Sequence, residues 1–165
     1  MRINAKQLII ALVAVAIAAG LALSLTRKPA APTVAFTTLS GKRIDLANLR
    51  GKIVLVNFWD TGCPGCIAEM PQLVKTYRTY HARGFELIAV AMSFDTPRFV
   101  QDYRSANHLP FRVAFDATGK ISQAFGNVQL TPTSFIIGKD GQLLQRTVGT
   151  LDFARLDKLL DRQLG

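Results

Sequence analysis

Ile53-Val54-Leu55-Val56-Asn57-Phe58-Trp59 runs through Asp60-Thr61-Gly62 into Cys63-Pro64-Gly65-Cys66. The first seven residues, apolar on both faces but for Asn57, have the length and composition of a strand buried inside a sheet. Ile67 to Arg83 then has helical character, with Met70, Leu73, Val74 and Tyr77 at i, i+3, i+4 and i+7 of one stripe. A Cys-x-x-Cys pair therefore stands where a buried strand turns into a helix. There the first cysteine meets backbone N–H groups without helical partners and the positive end of the helix dipole, and both favour thiolate over thiol. Cys63 is the expected nucleophile. Cys66, three residues on and nearly on the same helix face, is within disulfide reach and can resolve a mixed disulfide formed at Cys63. A static bridge is the alternative, but closing so short a loop restricts the unfolded chain little. A Cu(I) or zinc site would need more ligands than two thiolates, and Met70, Met92, His81 and His108 have no diagnostic spacing, so no metal is expected.

Working outward, Gly84 ends the helix and Phe85 to Met92 reads as a second apolar strand, parallel to the first if the helix is its crossover. Asp95-Thr96-Pro97 combines a capping residue with a first-turn proline, which predicts a helix to about Asn107. Phe111 to Phe115 reads as a short strand and Gly119 to Phe125 as a short helix. Ser134 to Ile137, the Lys139-Asp140-Gly141-Gln142 turn and Leu143 to Val148 form a hairpin pattern. Phe153, Leu156, Leu159, Leu160 and Leu164 give the last helix its apolar face. Upstream, Ser40-Gly41-Lys42 is a turn between short strand-like stretches. The order is α/β: a β-α-β unit, an inserted helix-strand element, a hairpin and a closing helix around a central mixed β-sheet.

The 165 residues are 49% hydrophobic and 19% charged, which excludes a disordered or collagen-like chain. Two cysteines exclude a disulfide-built scaffold and any four-cysteine metal cluster. Leu8 to Leu25 is an uncharged apolar run which, as a helix, is roughly 27 Å long, close to the thickness of a bilayer core. The expected organisation is a tail at 1–6, a transmembrane anchor at 7–26, a proline-containing linker at 27–35 and one domain at 36–165. A cleaved signal peptide is the alternative, but Ala14-Val15-Ala16 and Ala16-Ile17-Ala18 lie inside the apolar run rather than after it. Arg2 and Lys6 on one side and Arg27 and Lys28 on the other leave the charge rule nearly tied over orientation. These four account for part of the net charge of +9, and the remaining basic residues are scattered, which points to a solvated surface and to no nucleic-acid partner.

The stretch from Gly51 to Pro71, with Thr131-Pro132-Thr133-Ser134-Phe135 downstream, resembles membrane-anchored thioredoxins of the TlpA/ResA type, over roughly Ala35 to Leu164. The resemblance implies a thioredoxin fold, a thiol–disulfide oxidoreductase and a catalytic domain in the periplasm on a single-pass anchor in the inner membrane. It matches Cys63 and Cys66 to the attacking and resolving cysteines, and Pro132 to a proline with a cis peptide bond before it. The backbone of Thr131 would then offer hydrogen bonds to an extended client segment, with Trp59, Pro64 and Gly65 around the same site. Glu69 matches an acidic residue three after the second cysteine, placed to exchange a proton with Cys66 if burial raises its pKa. Pro71 matches a kink in the helix. The redox-active disulfide Cys63–Cys66 is the only cofactor implied. Implied partners are disulfide-containing proteins, apocytochrome c among them, a DsbD- or CcdA-like membrane electron donor, and the lipid bilayer through 8–25.

The sequence departs from the family at Gly62, where an aromatic residue is usual, and at Pro64-Gly65, an uncommon pair between the cysteines. Asp60, three residues before Cys63, brings a negative charge that opposes the thiolate. Asn57 stands where cytoplasmic thioredoxins carry a buried acid, which leaves Glu69 as the expected proton carrier. Reduction of protein disulfides is the leading expectation. An oxidase or isomerase of secreted proteins is the alternative on the same fold, with a thiol peroxidase and a Cu(I) carrier behind it.

Overall fold

The computed structural model describes residues 4–26 and 29–165. The first helix, α1, spans Ala5–Thr26. Among the described residues no helix is long and apolar enough to cross a membrane. Side chains of α1 are described at positions 6, 9 and 12–21, so the expected tail at 1–6, anchor at 7–26 and linker start at 27–28 lie partly outside the described residues.

The domain is built on a five-stranded mixed sheet in the order β5 (Arg112–Phe115), β4 (Phe85–Ala91), β3 (Ile53–Trp59), β6 (Thr133–Ile137), β7 (Leu143–Val148). β1 (Ala35–Thr37) and β2 (Arg43–Asp45) pair as a separate antiparallel ribbon around the Ser40-Gly41 turn. Helix α2 (Pro64–Tyr80) is the crossover between β3 and the parallel β4, in register from Ile53↔Phe85 to Trp59↔Ala91. Helix α3 (Pro97–Ala106) leads to β5, parallel to β4, as the inserted helix-strand element. α4 (Lys120–Ala124) precedes the antiparallel β6–β7 hairpin, and α5 (Phe153–Leu164) closes the chain.

Every residue of β3 is buried, as expected of a strand apolar on both faces. Ile53, Leu55 and Trp59 pack with Met70, Leu73 and Tyr77 of α2 and Leu156 and Leu160 of α5. Val54, Val56 and Phe58 pack on the other face with Phe36, Ile44, Phe125 and Phe135. The period-2 alternation of side chains thus divides one strand between two cores. α2 begins at Pro64, three residues before the expected start, because proline needs no N–H partner in a first turn. It ends at Tyr80; His81–Arg83 tighten into a 3₁₀ turn, and Gly84 reverses the chain at φ 100°.

The linker is not free. Leu143 N–H donates to Pro29 O, Ala31 N–H donates to Gly141 O, and Ala30 bridges Gln142. The β6–β7 turn lies at the Ile53 end of β3, so the chain joins the domain at the pole opposite Cys63. Leu55, with no exposed surface on the central strand, is a direct test of this core. Leu55→Ala should cost about 2–5 kcal/mol, read as a lower urea midpoint at unchanged slope.

Candidate active site

The end of β3 and the first turn of α2 hold the two cysteines as a disulfide with Cα atoms 5.2 Å apart. Cys63 caps α2: its backbone is extended and its Sγ accepts the N–H of Cys66 across 3.1 Å. Cys66 is fully buried, whereas Cys63 is partly exposed between the exposed Gly62 and Pro64. Of the two sulfurs, therefore, only that of Cys63 is open to approach from outside.

The loop before β6 meets this turn. Thr131–Pro132 is a cis peptide bond. Pro132 is buried, and a Cβ placed on Gly65 would lie 3.6 Å from both Pro132 Cδ and Thr150 Cγ2. Both are ordinary van der Waals distances, so the Pro132 ring sits beside the dipeptide between the cysteines. Thr131 Oγ1 donates to Asp60 Oδ2 at 2.6 Å, and Asp60 Oδ1 accepts the N–H of Gly62 at 3.0 Å. Asp95, in the β4–α3 loop, takes the N–H and Oγ1 of Thr61 at 2.7 and 2.8 Å. Two carboxylates therefore fix the three residues ahead of Cys63. The local reading of Asp95 reached only its place before α3, where it accepts the Thr96 N–H at 2.6 Å; its second role depends on the sheet bringing two loops together.

Trp59 corrects an expectation. It has no exposed surface and packs in the core against Tyr103, with ring centroids 5.3 Å apart, so it supports the redox turn from beneath and cannot touch a client. Leu130 and Phe94, each 65% exposed, stand next in sequence to Thr131 and Asp95. A cleft of about 150 Å³ lies beside the same loop, lined by Asn127, Gln129, Leu130, Thr133, Arg146 and Val148. Sequence alone does not mark these residues, because an apolar residue in a loop has no periodicity to place it.

Glu69, one helical turn beyond Cys66, is buried. Its Oε1 accepts Asn57 Nδ2 at 2.9 Å and its Oε2 accepts the Leu151 N–H at 3.1 Å. Asn57 Nδ2 also reaches Ser134 Oγ at 3.0 Å, tying β3, α2 and β6 together. Loss of hydration raises the Glu69 pKa above its ordinary 4.5, and the bonds from Leu151 and Asn57 pull it partly back. The expected buried carboxyl is present on the same helix as the resolving cysteine. Leu151 had no sequence signal, since its backbone rather than its side chain is used.

Residues 26–160 match the redoxin family. The chain belongs to that family. It is 37% identical over 132 residues to the thiol-disulfide oxidoreductase ResA of Bacillus thuringiensis subsp. konkukian, covering 80% of this chain and 75% of the relative. A thioredoxin-family thiol:disulfide interchange protein from Chlorobium tepidum superimposes with a TM-score of 0.76 at 31% identity, covering 85% of this chain and 99% of that one. StoA from Bacillus subtilis gives 0.67 at 26% identity, covering 79% and 98%. The protein is a ResA-like thiol–disulfide oxidoreductase of thioredoxin fold.

The raised Glu69 pKa fixes the sign of a pH effect. Between pH 4.5 and the folded midpoint the native state binds more protons than the unfolded chain. This carboxyl's contribution to stability is therefore full below that window and declines as pH rises through it. Glu69→Gln should remove that decline, seen by comparing urea midpoints of the two proteins across pH. Gln can keep both bonds, because Asn57 Oδ1, buried without a partner, can turn to accept its Nε2. Exchange at neutral pH should nonetheless slow by about 10²-fold, the scale of a lost general acid–base group; equal rates across pH would remove Glu69 from the chemistry.

Proposed function

We propose that this oxidoreductase is an extracytoplasmic reductant of protein disulfides, held to the cytoplasmic membrane through residues 8–25. The observation that carries the reading is the asymmetric pair, an accessible Cys63 capping a helix and a fully buried Cys66 one turn from a buried carboxyl. Cys63 thiolate attacks one sulfur of the client disulfide. A bond forms between them as the client S–S bond breaks, and the departing client sulfur takes a proton from water. Cys66 then gives its proton to Glu69 and attacks Cys63 Sγ, closing the disulfide and releasing the second client thiolate, so that two electrons have passed to the client. A dithiol donor runs the same steps backwards to restore the pair.

The loop before β6, tied to the redox turn through Thr131 and Asp60, supports docking of the client as an extended segment along the Thr131 backbone, between Leu130 and Pro64-Gly65. The pinned linker supports an anchor at the opposite pole, which would turn the redox pair away from the bilayer. Within this reading the clients are disulfide-containing proteins, the oxidised cysteine pair of apocytochrome c among them, and the electron donor is a DsbD- or CcdA-like membrane protein, as the family resemblance implies.

Cys66→Ser should leave Cys63 covalently joined to clients, because nothing resolves the intermediate. Non-reducing electrophoresis after alkylating lysis should show adducts that dithiothreitol removes, and their absence would overturn the mechanism. Equilibration of the full chain in graded thiol/disulfide buffers tests direction. A potential near about −270 mV fits a reductant, whereas one near about −120 mV would make it an oxidant.

A further inference from the structure

Asp60 is the one feature of the redox turn that works against the chemistry of a helix-capping cysteine. One of its carboxylate oxygens and both sulfurs lie within 4.8 Å of one another. The carboxylate is fixed there from two sides, by the Gly62 N–H at 3.0 Å and by Thr131 Oγ1 at 2.6 Å. It cannot swing into solvent without giving up both bonds. Ionisable groups bonded to or within the turn are Asp95, on Thr61 from the β4–α3 loop, and Cys66 and Glu69 from α2, while the β7–α5 segment brings the uncharged Thr150 and Leu151. The loop before β6 contributes the uncharged Thr131 and Pro132. Among the described residues, neither Asp60 nor Asp95 is in an ion pair.

We propose that Asp60 is a positioning residue that sets the poise of the cysteine pair: it opposes the Cys63 thiolate, biasing the pair toward its disulfide, and ties the client-contacting Thr131 to the redox loop. The proposal rests on the reading of the pair as an exchange site. The reduced state holds a thiolate at Cys63 and a thiol at Cys66, while the oxidised state holds neither. A negative charge fixed beside Cys63 raises the free energy of the reduced state alone. Two electrons then leave the pair for a client disulfide more readily, with the client sulfurs taking up the protons. The helix terminus and Asp60 act on the same atom with opposite sign, so the first keeps Cys63 reactive and the second keeps the pair reducing. The bond to Thr131 adds a geometric role, because the backbone offered to a client and the sulfur that attacks it are held by one carboxylate.

The test compares the full chain with Asp60→Asn and Asp60→Glu, following the pH dependence of Cys63 alkylation in the reduced protein and the equilibrium constant with glutathione. Cys66 is fully buried and does not compete for the reagent. Asp60→Asn should lower the Cys63 midpoint and favour the dithiol by at least about fourfold, the Coulomb effect at this separation with the dielectric of water. Asp60→Glu should restore most of the wild-type values. Added salt should lower the wild-type midpoint and narrow the gap to Asp60→Asn, a response that simple loosening of the loop would not give. Identical midpoints and constants for wild type and Asp60→Asn would overturn the proposal. If the Asn variant fails to fold, a wild-type midpoint indifferent to salt overturns it instead. Wild-type protein that alkylates at Cys63 yet reduces no disulfide would sink the exchange reading, and the alkylation profiles would still decide the role of Asp60.

Discussion

The amide of Cys66 donates to the sulfur of Cys63, and the site depends on that contact. It makes the nucleophile the cap of its own helix, so the group that satisfies an orphaned backbone donor is also the group that reacts. The contact exists because β3 ends in a fixed place. Seven buried residues, paired with β4 on one side and β6 on the other, leave the strand no freedom to slip. A one-residue shift would exchange its two apolar faces and turn Asn57 away from Glu69. The rigidity of the central strand is thus transmitted directly to the position of one sulfur.

A buried asparagine in that strand is costly unless its polar atoms are used. Asn57 uses its amide nitrogen twice, on Glu69 and Ser134, and keeps its oxygen unpaired. An arrangement satisfied on one side only suits a neighbour that changes protonation. An ionised Glu69 needs a donor, a protonated one needs an acceptor, and a turned Asn57 amide offers either. The Leu151 N–H meets the other carboxylate oxygen throughout. Among the described residues Glu69 is bonded to Asn57 and Leu151 and is in no ion pair; a salt bridge would hold the carboxyl ionised, so its absence suits the proposed proton transfer.

The fold was legible in the sequence wherever periodicity carried it. The two-faced apolarity of β3 predicted a central strand, the i, i+3, i+4, i+7 stripe predicted α2, and Asp140-Gly141 predicted the β6–β7 hairpin. The cysteine pair was legible because its relation is local, within one turn of one helix, and Glu69 came from the family resemblance together with its three-residue spacing from Cys66. Asp95 and Leu151 were not, since their roles arise from contacts between loops distant in sequence, and Leu151 acts through a backbone group that every residue possesses. Trp59 was misplaced for the same reason. Closeness in sequence to Cys63 says nothing about which side of the sheet a strand-end ring enters, and the ring faces the core it shares with Tyr103.

The two ends of the domain divide the work. At the Ile53 end of β3 the linker is stitched to the β6–β7 turn by backbone hydrogen bonds, which carry no sequence preference and serve as a mechanical attachment. At the Trp59 end the contacts are charged and specific, with Asp60 on Thr131 and Asp95 on Thr61 joining loops that follow three different strands or helices. Because β3 and β6 are antiparallel neighbours, the hairpin that receives the linker also begins at the cis-proline loop. A single strand, β6, therefore runs from the attachment to the loop that meets the redox turn. Its five buried residues fix the distance between the turn that receives the linker and the loop beside the redox pair.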